Sequence, residues 1–249
     1  MLILGAIAIL TLLLGSNDLP FLIPKEEKAI NKVIVDKQTR KELKVIFTDI
    51  EKYEKKYRKE KKAYIKQLNR VNSDQLATAG QFQILGEKME NVNSNAQDFM
   101  ISKRLAIKAI VTVEEWNSIL AEGKKRYRKS EKQYDKVYPK FEKSMDKLVK
   151  GVRNTLFDTV KAEMIVDRML KFSKMTLKNS KKLNTYNVFD HPVISNIEST
   201  ENELKVLVPE MLSLRQEVLD EYVAIHNLIA TNCTAKQWPK IVKRVNKLF

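Results

Sequence analysis

The chain has 249 residues, 43% of them hydrophobic, long enough for one large domain or two small ones around a real core. Only 6 Gly and 6 Pro leave too little turn chemistry for an all-β fold, and a single cysteine, Cys233, excludes an intramolecular disulfide. The net charge of +15 suits anionic lipid, nucleic acid or an acidic protein as partner, and equally a plainly solvated surface.

The first element in chain order is apolar. Met1–Leu14 carries no charge, and after Gly15-Ser16-Asn17-Asp18 a second apolar patch runs from Leu19 to Ile23. A spanning helix needs roughly 20 apolar residues, a length reached here only if the polar break sits at the interface. A cleaved signal would show a basic residue before the run and a small-x-small triplet after it, and neither is present. Residues 1–23 are therefore expected to be a retained, single-pass membrane anchor. The flank Lys25, Lys28, Lys32, Lys37, Arg40 and Lys41 argues for a cytoplasmic body, but long domains translocate regardless of local charge. The body is read as extracytoplasmic (periplasmic), with the cytoplasmic side as the alternative.

The body reads as an all-α, elongated antiparallel helical bundle or coiled coil. A first helix is expected from Pro24 to about Arg70, with Leu43, Ile46, Ile50, Tyr53, Tyr57, Tyr64 and Val71 on a heptad seam. Ser73 is read as the N-cap of a second helix that turns Leu76, Phe82, Leu85, Met89, Val92 and Ala96 to the core. Thr112 and Glu115 form a capping box, with Val111 and Trp116 as its hydrophobic staple. That helix runs through Lys124, Lys125, Arg126, Arg128 and Lys129 to a kink at Pro139. A long helix over Lys140–Leu183 presents Phe141, Met145, Leu148, Val152, Leu156, Val160 and Met164. After a loop over residues 184–191, Ser195 starts a helix to about Ala230, bent at Pro209. Thr234, Gln237 and Trp238 then open a short final helix.

The two Thr-capped starts hold the only tryptophans and lie 122 residues apart. The same offset pairs Val71 with Val193, Ser73 with Ser195, Leu85 with Leu207, Met89 with Met211 and Ile107 with Ile229. The spacing predicts two tandem related helical units, residues 24–123 and 124–249, behind the anchor. Charge divides the chain the same way. Residues 25–70 carry 16 basic against 8 acidic side chains and residues 124–183 carry 19 against 7. The stretches that follow, 71–123 and 184–230, are acidic on balance, at 4 against 7 and 2 against 8. Antiparallel pairing of basic with acidic arms would neutralise much of this charge internally.

Little chemistry is written in the side chains. His191 and His226 are far apart, no Cys/His cluster has metal-ligand spacing, and no phosphate loop or nucleophile elbow occurs, so no catalytic site, metal or cofactor is expected. Cys233 reads as a small buried hydrophobe. Tyr53, Tyr57 and Tyr64 among lysines could stack bases, but heptad spacing turns them to a partner helix, so nucleic acid is the less favoured partner. Lys124, Lys125, Arg126, Arg128 and Lys129 are the candidate anion-binding stretch. The expected function is a non-enzymatic, membrane-anchored scaffold or adaptor that binds a protein partner in a membrane-associated assembly. The alternatives are a peripheral binder of anionic lipid or nucleic acid and an enzyme with an unrecognised site.

Overall fold

The computed structural model describes residues 27–134 and 137–246, and these are all-helical, with no strand among them. The elements are α1 (Glu27–Val33), α2 (Lys37–Ser73), α3 (Ala79–Lys108), α4 (Val113–Tyr134), α5 (Val137–Arg153), α6 (Thr159–Asn184), α7 (Pro192–Ser195), α8 (Glu201–Asn232) and α9 (Trp238–Val245). The expected anchor, Met1–Ile23, lies outside the described residues. Within them no helix is long and apolar enough to cross a membrane.

The centre is the antiparallel pair α3/α8, with Phe82 edge-on to Tyr222 and Gln97 against Met211. Helix α2 runs antiparallel along α3, where Tyr53 stacks on Phe99 at 4.1 Å and Asp49 pairs with Lys103. Helix α6 runs antiparallel along α8, held by Arg168–Glu221 and Lys182–Glu210. Helix α5 folds back on α6, α9 bridges α5 and α2, and α1 packs on α4. The ion pairs across α6/α8 join basic arm to acidic arm, as the charge pattern anticipates. Across α2/α3 the polarity is reversed: the cation, Lys103, sits on the acidic arm.

Where the structure departs from the sequence reading, short polar caps are the reason. The first helix does not run unbroken from Pro24: it stops at Val33, and the Asp36 carboxylate accepts from the Thr39 amide at 2.6 Å to start α2. The helix expected over Lys140–Leu183 is two helices. Asp158 caps α6 by accepting from Lys161 at 3.1 Å, which fixes a different face from the one predicted. Val160 is 79% exposed and Met164 45%, while Ala162, Ile165, Val166 and Met169 are buried. Ser73 ends α2 rather than opening α3, whose N-cap is Thr78; Leu76 is consequently 85% exposed in the turn. Likewise Ser195 closes α7, and Thr200 caps α8. Pro139 lies in α5 three residues after the undescribed residues 135–136, so the kink expected there falls at the edge of the described residues. The α2 seam is broader than a heptad stripe, since Phe47 and Leu68 are buried beside Leu43, Ile50, Tyr57 and Tyr64.

Candidate functional site

The residues singled out by the 122 offset come together as two junctions, one at each end of α3/α8. At the first, Thr112 and Glu115 form a complete capping box: the Glu115 amide donates to Thr112 Oγ1 at 3.1 Å, and the Thr112 amide to Glu115 Oε2 at 2.9 Å. The box aims Trp116, which is fully buried, across the molecule, and its indole N–H donates to the Ser195 carbonyl at 2.7 Å. The Arg104 guanidinium stacks on the Trp116 ring at 3.6 Å and donates to the Ile194 carbonyl at 3.3 Å.

The second junction repeats this arrangement 122 residues on. The Thr234 amide donates to Gln237 Oε1 at 3.0 Å, and Trp238 donates from its indole to the Ser73 carbonyl at 3.0 Å. His226 takes the place of Arg104, edge-on to Trp238 at 5.2 Å, and its Nδ1 donates to Asn72 Oδ1 at 3.0 Å. Asn72 in turn donates to Asn246, which donates to Ser73 Oγ at 2.8 Å. The two caps differ in one respect. The Thr234 hydroxyl donates to Gln237 Oε1 rather than accepting an amide, and Gln237 Nε2 reaches the Thr155 carbonyl at 3.1 Å.

Four of the contacting positions correspond: Trp116/Trp238, Ser195/Ser73, Arg104/His226 and Ile194/Asn72 are all 122 apart, whereas among the described residues Asn246 and Thr155 have no matching contact at the first junction. The spacing also holds well upstream of Val71. Asp36 and Asp158 are equivalent caps, Ile34 and Leu156 equivalent core residues, and Val35 and Phe157 are exposed at 85% and 92%.

Burial sets the electrostatics of these groups. It lowers the Arg104 pKa to about 9 and that of His226 to about 4, so His226 is neutral at physiological pH. Burial pushes the Cys233 thiol up to about 11, which keeps it from being a thiolate nucleophile. The hydroxyl of Tyr186 donates to the Glu210 carboxylate, whose pKa is held below its usual value chiefly by Lys182. Among the described residues no group of three or more His, Cys, Asp or Glu is placed to hold a metal. Of the anion-binding candidates, Lys124 is engaged internally, donating to the Phe189 carbonyl at 3.0 Å and lying 3.5 Å from Asp190. Lys125, Arg126, Arg128 and Lys129 lie on α4, but their side chains are outside the described residues.

Two groups escape the sequence reading. Arg104 and Arg215 are 3% and 7% exposed, and neither has a carboxylate within ion-pairing distance among the described residues. The signal for both is in the helical pattern: Arg104 lies among Met100, Ile101, Ile107 and Val111, and Arg215 among Met211, Leu214, Val218 and Leu219. No family model matches the chain, nor does any curated protein or solved structure.

Proposed function

We propose that this protein is a membrane-tethered, non-enzymatic scaffold made of two related helical units locked together, presenting a long helical body to a protein partner in a membrane-associated assembly. Residues 1–23 supply the tether on this reading. The observation that carries the scaffold is the reciprocal pair Trp116–Ser195 and Trp238–Ser73, in which each unit's capping tryptophan is bonded to the other unit's chain. Chemistry of this kind fixes geometry: a cap sets the angle, and a buried indole gives its one donor to a carbonyl distant in sequence. Helix α4 runs through residues 123 and 124 without a break, so on this reading the units are joined within a helix.

Partner contact is assigned to apolar side chains presented twice at the same spacing. Val35 and Phe157 form one such pair, and Ile84 and Val206, 66% and 74% exposed, form the other. The test is fractionation of the full chain followed by affinity capture in mild detergent. The expected result is retention in carbonate-washed membranes and recovery with a stoichiometric protein partner that a Val35→Ser, Phe157→Ser double variant loses. A chain found in the aqueous fraction, or recovered alone, overturns the reading.

A further inference from the structure

The two halves differ most at the position where they meet. Asn93 on α3 and Arg215 on α8 are counterparts at the 122 spacing, and both line one small cleft between these helices, of about 30 Å³. Gly86 gives the cleft its shape: a Cβ there would come within 2.5 Å of Leu219 Cδ2, so the bare backbone is what lets α8 approach. Tyr64 from α2 forms part of the remaining wall, and Glu90 lies at the rim.

Two polar groups in this cleft, Arg215 and Asn93, offer donors. Arg215 is 7% exposed, its Nε has no hydrogen-bond partner, and no carboxylate among the described residues reaches it. A guanidinium stays charged, and a buried charge without a counterion is strongly unfavourable. Asn93 is 3% exposed, and its Oδ1 accepts from the Tyr57 hydroxyl at 2.8 Å. That bond orients the amide so that Nδ2, the donor end, is the part left over. Gln216 donates from Nε2 to Asp220 at 2.6 Å and leaves its acceptor Oε1 near Gly86, so it takes no part in holding an anion.

We propose that the α3/α8 cleft binds one small oxyanion group, a phosphate or a carboxylate, paired with Arg215 and hydrogen-bonded by Asn93. A planar guanidinium matches the two oxygens of either group, and the buried setting keeps the pair from being screened by salt. The oxyanion supplies the missing counter-charge and bridges the two units at their meeting point.

The test is isothermal titration calorimetry on the full chain in neutral detergent, with ionic strength held constant by sodium chloride. Inorganic phosphate and acetate are the two probes, so the arms separate phosphate from carboxylate binding. Wild type is expected to bind at least one of them saturably at a single site, with a matching rise in thermal midpoint. Arg215→Met, close in length and apolar, is expected to weaken binding at least tenfold. Asn93→Asp places a carboxylate beside Arg215 and is expected to abolish binding while leaving a folded chain. Glu90→Gln removes a negative charge from the rim and is expected to tighten binding. The absence of saturable binding in wild type, or binding untouched by both Arg215→Met and Asn93→Asp, overturns the proposal.

Discussion

Trp116 and Trp238 hold the centre of the account at the residue scale. Each buries an indole and uses its one donor on a carbonyl distant in sequence, Ser195 or Ser73, so phenylalanine at either position keeps much of the packing and removes that bond. Trp116→Phe and Trp238→Phe are each expected to cost about 0.5–1.5 kcal/mol in urea unfolding, by the loss of one part-buried bond. His226 makes the second junction acid-sensitive where the first, with Arg104, is not. Its folded pKa of about 4 lies below its ordinary value, so between about pH 6.5 and pH 4 the unfolded chain binds the extra proton. Stability is therefore expected to fall as pH drops through that window, measured as a declining urea midpoint. His226→Gln, which can still reach Asn72, should flatten most of the slope above about pH 5, leaving the part due to His191, also lowered by burial, and below that pH the part due to lowered carboxylates such as Glu210. Cys233 should react with iodoacetamide far more slowly than a free thiol at pH 8, because it is buried and protonated.

Local chemistry and tertiary packing divide the elements between them. Thr112 accepts an amide at the start of α4, whereas the Thr234 hydroxyl donates to Gln237. Thr112→Ala is thus expected to lower stability by about 1 kcal/mol and Thr234→Ala by clearly less, compared by chemical denaturation. The Thr112 box was legible because it needs only four residues in order, and the two-junction site was half legible because its tryptophans repeat at 122. What was not legible is which unit each tryptophan reaches, since nothing local to Trp116 points to Ser195. The breaks at Asp36 and Asp158 were missed for a related reason. Apolar residues continue through both, as Val33-Ile34-Val35 and Leu156-Phe157, and a periodicity reading runs on where one carboxylate accepting an amide ends the helix. Missing Asp158 rotated the expected face, which is why Val160 was assigned to the core in place of Ile165. The arginines were visible as polar residues on apolar faces, but the absence of a carboxylate partner is a property of the packed molecule.

On the proposed two-unit architecture, the halves of the molecule cannot be separated without breaking both junctions. Helices α3 and α8 form one interior, with Leu85, Met89 and Ile107 of α3 buried alongside Met211, Leu219 and Ile229 of α8. Such a body should unfold as one, and the chain carries its own two probes, since its only tryptophans report on opposite junctions. The decisive measurement is equilibrium urea unfolding of Trp116→Phe and Trp238→Phe, following the remaining tryptophan's fluorescence and far-UV circular dichroism together. The account predicts that within each variant both signals are lost at one midpoint with one slope. Loss of either tryptophan's signal in a transition separate from the loss of helix would mean the units fold independently, and would contradict the reciprocal lock.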